Sequence, residues 1–363
     1  MSSNKSIKEI ALSLTRKQLF IPIVALLLLI IFNLIGDPTF FKISLVTNSN
    51  GDAVLSGNII SILDNASELV ILALGMTLVT AASGGQDISV GAGIAIAGSV
   101  ILRLICGETA APEEMQNPII LAVFVAIVVM MFFGAFNGIL VAYFKIQPMV
   151  ATLILFTAGR SIAAWINHNT LPYVNDPSFG YYGTFLPGCP VPTPIFFAII
   201  CIVIFVLVLK FTTLGLYAQS VGINASSSKL NGINPEFIKF ITYVILGVCV
   251  AIAGFIKVSR ISTITYSVIA KDIEMDAILA VALGGNALSG GKFNIWGSVI
   301  GAYVIQFLTT TLFKYNVSSA ALPAYKAVVV IILVILSAPV VREKMEKIAN
   351  ARAAKAAAAK GGN

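Results

Sequence analysis

Two charged residues lie in otherwise apolar stretches of the chain, and they are the first candidates for chemistry. Asp87 separates two strongly apolar segments, and Arg160 lies deep inside another, where the pattern places it beside Asn137 and Thr152. A charged side chain in apolar surroundings is costly unless it is paired or hydrated, so both residues are expected to line a cavity. The other candidates are side chains that can donate or accept hydrogen bonds within or beside apolar stretches: Ser89, Asn137, Thr152 and Asn286.

The sequence excludes the common catalytic and metal sites. His168 is the single histidine, so Ser-His-Asp, Cys-His and histidine-based zinc sites cannot form. The four cysteines have no ligand spacing, although a disulfide between Cys106 and Cys189 stays open. The segments LSGGKF and GAGIAIAG each depart from the nucleotide-binding loops that they resemble superficially. We therefore expect no catalytic residue, metal or cofactor in this chain.

The elements that must position these residues are membrane helices. The chain is 58% hydrophobic and 11% charged, with a mean hydropathy of +0.96, whereas about a quarter of a soluble domain is charged. Lipid cannot satisfy free backbone groups and the alternation of a barrel is absent, so we expect an all-α polytopic membrane protein. About ten runs approach the length of about 20 residues that a span needs. They are 19–35, 66–82, 88–105, 118–142, 149–167, 193–211, 237–257, 274–287, 295–313 and 322–341.

Glycine-rich breaks interrupt the apolar pattern in both halves of the chain. The first contains Gly84, Gly85 and Gly91, and the second contains Gly284 and Gly285. Non-helical backbone at membrane depth survives only where it is buried in protein or lines a cavity, so the breaks indicate a transport site. Tight turns at the membrane surface remain the alternative. The GAFNG and GSVIG motifs predict close helix packing within the chain.

Basic residues predict the orientation of the chain. Lysines and arginines crowd segments 1–18 and 342–363, so both segments are expected in the cytoplasm. In the sequence they flank a membrane domain expected at 19–341. Segments 107–117 and 168–192 are acidic and are expected outside, whereas Lys257, Arg260 and Lys271 fall outside against the rule. The net charge of +7 is explained by this bias, and nucleic-acid binding is a poor alternative explanation of it.

A polar segment at 212–236 is flanked by apolar runs of spanning length. Asn224 is a good N-cap, residues 225–230 tolerate helix, and Gly232 followed by Pro235 is a stop signal. A helix this short is marginal alone, so we expect a partner to dock on it.

Several motifs together resemble a known family. They are LGMTLV at 74–79, GGQDISVG at 84–91, NG at 137–138, QPMVATL at 147–153, VGIN at 221–224, GIN at 232–234, DAILA at 276–280, and the glycine pairs at 284–285 and 290–291. Together they resemble the permease subunits of bacterial monosaccharide ABC importers, above all those for galactofuranose, galactose and ribose. The match covers residues 60–340 in order.

This resemblance implies a type II ABC importer permease fold in the bacterial inner membrane. The expected partners are a cytoplasmic ATPase that binds ATP and Mg, a periplasmic sugar-binding protein, a second permease that is identical or a paralogue, and the monosaccharide itself. By the same resemblance, Gly222 to Ile233 is the coupling helix that an ATPase would grip. The residues expected to carry the coupling are Gly222, Asn224, Ala225, Ser226, Lys229, Leu230, Gly232 and Ile233. Ser226, Ser227 and Ser228 depart from the acidic and alanine-rich residues common in relatives, which leaves the detailed contacts open.

The main alternative is an ion-coupled secondary transporter of a small polar solute. Such a transporter needs an acidic or ion site, and Asp87 with Arg160 could supply one. Neighbouring genes for an ATPase and a secreted binding protein would favour the importer.

Overall fold

A computed structural model describes residues 19–48, 51–292 and 294–337. The predicted segments 1–18 and 342–363 lie outside these residues, as does the end of the run 322–341. The longer helices are α1 (Phe20–Gly36), α2 (Asn58–Ser83), α3 (Val90–Cys106), α4 (Ile119–Ala142), α5 (Pro148–Ile166), α7 (Thr193–Phe211), α10 (Pro235–Ile261), α12 (Ile295–Lys314) and α13 (Leu322–Ser337). The shorter ones are α6 (Pro177–Gly180), α8 (Leu214–Ile223), α9 (Ala225–Leu230) and α11 (Ile273–Leu283).

The polytopic helical class is confirmed, because six described helices are long and apolar enough to cross a membrane: α2, α4, α5, α7, α10 and α12. The count of about ten spans stays a prediction. Helix α11 has 11 residues, which at 1.5 Å per residue gives about 16 Å, roughly half of the hydrocarbon thickness.

The described residues between α1 and α2 form a connection with short regular elements. It contains a 3₁₀ turn (Pro38–Phe41) and strands β1 (Ser44–Thr47) and β2 (Ala53–Ser56), which pair antiparallel. Helix α2 begins at Asn58, eight residues before the predicted start at 66. The polar residues of its first turns lowered the hydropathy of the sequence there, although Asn58 donates to Phe40 O (3.2 Å) and Asp64 pairs with Arg260. The all-α prediction therefore needs one correction, the small hairpin.

Helices α2 and α10 form the centre of the bundle. In their most apolar windows 67% and 72% of the residues are buried, against 22% in α4 and α7. An apolar helix that stays exposed to this extent faces lipid or another membrane subunit, so α4 and α7 lie at the periphery of this chain. The core cluster runs along α2, α3 and α10 and includes Ile71, Leu74, Ile94, Ile101 and Ile256.

Glycines bring helix backbones into direct contact. A Cβ added to Gly134 of α4 would lie 2.4 Å from the carbonyl oxygen of Tyr243 in α10, and one added to Gly301 of α12 would lie 2.1 Å from that of Ala280 in α11. Side chains at these positions would push the helices apart. The predicted role of GAFNG and GSVIG in packing within the chain is confirmed.

The bundle has two ends. The near end, as we call it, carries the end of α2, the α4–α5 turn, segment 212–236 and the α11–α12 turn; the opposite end is the far end. Two of the far-end cations are paired, with Arg260 3.2 Å from Asp64 and Lys257 3.7 Å from Glu68. Because their charges are neutralised by these partners, Arg260 and Lys257 can lie on the side predicted to be external, although the basic-residue rule disfavours them there.

The connecting segments of the far end are joined to one another by backbone hydrogen bonds. Leu55 N in β2 donates to Pro190 O (2.9 Å), Tyr173 N donates to Ala110 O (2.7 Å), and Val174 N donates to Ser262 O (2.9 Å). Four separate connections thus form one ordered surface layer. Cys106 and Cys189 lie at this end as free thiols, so the disulfide is absent here.

Candidate functional site

The structure brings together four of the predicted polar residues, Asp87, Ser89, Asn137 and Thr152. Asp87 Oδ1 accepts hydrogen bonds from Ser89 N (2.7 Å) and Ser89 Oγ (2.6 Å). Asn137 Nδ2 of α4 donates to Asp87 Oδ2 (3.3 Å) and to Ser89 Oγ (3.1 Å). Thr152 Oγ1 of α5 accepts from Ile88 N (3.2 Å). This polar cluster ties the break between α2 and α3 to two further helices.

The polar cluster is closely packed. Asp87, Ser89 and Asn137 are each no more than 3% exposed, and the cavity that they line with Met130 and Tyr243 measures about 10 Å³. That space holds about one water molecule, so a monosaccharide does not fit in this arrangement. Asn137 Oδ1 is buried without a hydrogen-bond partner among the described residues. The cluster can bind a sugar only if the helices around it separate.

Arg160 lies elsewhere, and its predicted position beside Asn137 and Thr152 is wrong. Its Nη1 donates to the carbonyl oxygens of Tyr266 (2.8 Å) and Ile269 (2.9 Å), in the segment between α10 and α11. The sequence pattern gave the depth of Arg160 in α5 but not the direction of its side chain. Among the described residues no ion pair joins Arg160 to Asp87.

Asn286 belongs to a separate network at the α11–α12 turn. Its Oδ1 accepts from Asn294 N (2.6 Å), and its Nδ2 donates to Ser298 Oγ (2.8 Å), which in turn lies 2.6 Å from Thr77 Oγ1 of α2. These bonds close the turn and attach it to the central helix. In this arrangement Asn286 holds the second glycine-rich break in shape.

The two glycine-rich breaks meet each other at the near end. Gly84 ends α2 with a left-handed φ of +67°, and a Cβ there would lie 2.8 Å from Ser289 O. Gln86 Nε2 donates to Leu288 O (2.9 Å), and Gly291 N donates to Ala81 O (3.1 Å). The breaks are therefore one joined structure rather than two independent surface turns.

Other predicted glycines allow further close contacts around the breaks. A Cβ on Gly85 would lie 2.6 Å from the Pro148 ring that begins α5, and one on Gly91 would lie 2.2 Å from Glu274 Oε2 of α11. A Cβ on Gly284 would lie 2.5 Å from the backbone of Gly297, and Gly285 has a φ of +80°. The breaks thus serve as the point where α3, α5 and α12 converge.

Segment 212–236 is attached directly to this junction through Gly222. A Cβ there would lie 1.8 Å from Ala81 O and 2.6 Å from Gly291 N, so only glycine fits without displacement. Three backbones, those of α2, α8 and the second break, are in contact here. A movement of α8 toward this junction would therefore press on the end of α2 and on the second break.

The predicted short helix is present as α9 (Ala225–Leu230). Asn224 Oδ1 accepts from Ser227 N (2.9 Å) as an N-cap, and Gly232 takes a φ of +80° in the following turn. Helix α8 before it was not predicted. Its apolar residues Ala218 and Val221 pack with Ala82 and Ile238, which anchors the segment to the bundle.

The outer side of the same segment exposes apolar side chains. Leu230 is 90% exposed and Ile223 is 70% exposed, although they lie in a polar segment. Lys229 Nζ is 3.8 Å from Glu236 Oε1, and a cavity of about 490 Å³ opens beside it, lined also by Ser226, Lys145 and Lys239. Apolar side chains next to a basic cavity are typical of a surface that a protein partner covers.

Sequence reasoning missed a polar cavity at the far end. Gln306, Thr309 and Thr310 of α12 line it with residues from α2 and α11. The signal was present in the sequence, because QFLTTT places three polar residues at i, i+3 and i+4 within an apolar run. With Thr311 the motif has four polar residues, which are too few to lower the hydropathy of that span below the level of a membrane helix.

Residues 58–338 match the family described as branched-chain amino acid transport system / permease component. The chain belongs to this family. It is 37% identical to the galactofuranose transporter permease protein YtfT of Escherichia coli over 318 residues, which cover 86% of this chain and 88% of the relative.

Two other similar proteins are also named as sugar import permeases. The fructose import permease protein FruF of Bifidobacterium longum is 34% identical over 93% of this chain and 92% of its own length. The ribose import permease protein RbsC of Escherichia coli is 34% identical over 86% of this chain and 92% of its own length. The resemblance to monosaccharide permeases stated from the motifs is confirmed. No solved structure matches the chain.

Proposed function

We propose that this chain is the membrane subunit of an ATP-driven importer that carries a monosaccharide into the cytoplasm. The observation that carries the proposal is its identity of 34 to 37% with three sugar permeases, each aligned over at least 86% of this chain. Because the three relatives are named for different sugars, their names support the substrate class without selecting one member.

The proposed assembly follows from the near-end surface. A cytoplasmic ATPase, which holds ATP and Mg, would cover the exposed Leu230 and the basic cavity beside Lys229. A periplasmic sugar-binding protein would deliver the sugar at the far end, and a second permease, identical or a paralogue, would complete the path. Both termini would then lie in the cytoplasm of an inner-membrane protein.

The proposed mechanism is alternating access. When ATP closes the ATPase pair, α9 moves with it, and the backbone contact at Gly222 passes that movement to both glycine-rich breaks. Separation of the helices there would open the polar cluster. Asp87, Ser89, Asn137 and Thr152 are the proposed path residues, with Arg160, Asn286 and Gly84, Gly85, Gly91, Gly284 and Gly285 around them.

The test is uptake by proteoliposomes that contain this permease and its ATPase, with sugar-loaded binding protein outside and ATP inside. Galactofuranose, fructose, ribose and galactose would be supplied in turn. We expect uptake that requires all three proteins and ATP hydrolysis, and that persists with a proton ionophore. Uptake by the permease alone, driven by an ion gradient, would support a secondary transporter and refute the proposal.

A further inference from the structure

The far-end cavity, named here the distal cavity, lies between the outer turns of α2, α10, α11, α12 and α13. Its volume is about 890 Å³, within the range of about 300 to 1,000 Å³ typical of small-molecule sites. The polar cluster around Asp87, in contrast, encloses about 10 Å³. The distal cavity is therefore large enough for a sugar in the described arrangement.

One face of α12 supplies the hydrogen-bonding groups of the distal cavity. Gln306, Thr309, Thr310 and Phe313 follow at i, i+3, i+4 and i+7, so they share one side of the helix. Thr309 Oγ1 donates to Ile305 O (2.8 Å), whereas neither the Gln306 amide nor the Thr310 hydroxyl bonds any described residue. Polar groups in a membrane helix are costly unless they face water or a polar ligand.

The charges around the distal cavity are largely neutralised in pairs. Lys326 Nζ is 2.7 Å from Asp276 Oδ2, Lys257 Nζ is 3.7 Å from Glu68 Oε2, and Lys314 hydrogen-bonds Asp37. Of the lysines that line the cavity, Lys271 alone has no ion-pair partner among the described residues. Recognition of an anion needs unpaired cations, so this lining favours a neutral ligand.

An aromatic ring completes the set of groups. Phe313 lines the distal cavity and is 49% exposed, so the surface of its ring is open to a ligand. Binding sites for small molecules typically combine such apolar or aromatic surface with a few placed polar groups. A pyranose or furanose ring offers both apolar C–H faces and hydroxyls, and it matches this combination.

We propose that the distal cavity binds the monosaccharide, with Gln306 and Thr310 hydrogen-bonding its hydroxyls and Phe313 contacting its ring. This inference rests on the proposed function. It places a sugar contact on the far side of the closed polar cluster, where a solute released by a binding protein would first meet the permease.

The experiment uses the full transporter in proteoliposomes with whichever of galactofuranose, fructose, ribose and galactose the native protein imports. Gln306→Leu and Thr310→Val remove the free polar groups, and Thr157→Val is the matched control. Thr157 is exposed on α5, and its hydroxyl bonds only Leu153 O and Ile154 O of its own helix. Each cavity variant is expected to lower import at subsaturating sugar about two- to tenfold, because one hydrogen bond is lost. Assembly with the ATPase and the control variant should be unaffected.

A labelling experiment covers the case in which Gln306→Leu fails to fold. Thr310→Cys in a Cys189→Ser background would be treated with a membrane-impermeant maleimide. We expect the label to block import, and we expect the transported sugar to slow the labelling several-fold.

The outcomes separate the two proposals. Absence of ATP-dependent sugar import by the native protein refutes the proposed function. Native import together with unchanged kinetics in both cavity variants, equal losses in Thr157→Val, or labelling that leaves import intact refutes the sugar site alone.

Discussion

Asp87 is held by hydrogen bonds from Ser89 and Asn137 in a space that admits about one water molecule. Asp87→Ala would leave these buried donors without an acceptor, which costs about 1 to 3 kcal/mol of folding stability. We expect a lower melting temperature and a loss of sugar uptake at unchanged assembly with the ATPase. Thermal unfolding in detergent and transport assays would measure the two effects.

Asp176 provides the control for this substitution. It makes the same kind of contact, accepting from Ser178 N at 2.8 Å, but as the N-cap of the short far-end helix α6 and away from the polar cluster. Asp176→Ala should leave uptake near the native rate. Normal uptake in Asp87→Ala would remove Asp87 from the proposed path.

Gly222 is the position at which adding a single methyl group should destabilise the fold most. In Gly222→Ala the new Cβ would overlap the carbonyl oxygen of Ala81 at 1.8 Å, and such overpacking costs roughly 1 to 3 kcal/mol. We expect reduced thermal stability and weaker coupling of ATP hydrolysis to import. Gly180→Ala is the control, because a Cβ there meets its nearest atom at 3.8 Å. Equal behaviour of the two variants would contradict a tight junction at Gly222.

Among the helices, the stability of the short α9 should depend on its N-cap more than that of any longer helix does. Asn224→Ala removes the bond to Ser227 N, and the loss of an N-cap costs about 1 kcal/mol. A helix of six residues has little packing to offset that loss. We expect binding of the ATPase to weaken several-fold, as measured with purified components.

The matched control is Asn234→Ala. Asn234 caps α10 in the same way, with Phe237 N donating at 3.0 Å, but α10 has 27 residues and is largely buried. Its packing should preserve the helix, so ATPase affinity should change little. If Asn234→Ala weakened the ATPase as much as Asn224→Ala, the cap of α9 would have no special role.

The sequence predicted elements whose signals are local. The break at Gly84 and the cap at Asn224 depend on residues within one turn, and both are present. The early start of α2 was missed because Asn58, Ser61 and Asn65 look like loop residues until a partner helix is known. The direction of Arg160 and the meeting of the two breaks were beyond prediction, since both depend on contacts between segments more than 100 residues apart.

The orientation of the whole molecule in the membrane decides whether the importer proposal can hold. Asn231→Cys marks the near end and Glu113→Cys marks the far end, each in a Cys189→Ser background; the remaining cysteines are buried. In intact cells an impermeant maleimide should label position 113 and should reach position 231 only after permeabilisation. Labelling of position 231 in intact cells would place segment 212–236 outside and would end the importer proposal.

The hydrogen-bonded layer at the far end has a kinetic consequence. Leu55, Tyr173 and Val174 each donate a backbone hydrogen bond to a neighbouring connection, so this face is already ordered before a partner protein binds. When a partner protein binds there, the connections of the permease would lose little conformational entropy. The partner's association rate constant should then resemble that of rigid-body docking, about 10⁵ to 10⁷ M⁻¹ s⁻¹, rather than the slower values seen when loops must first rearrange.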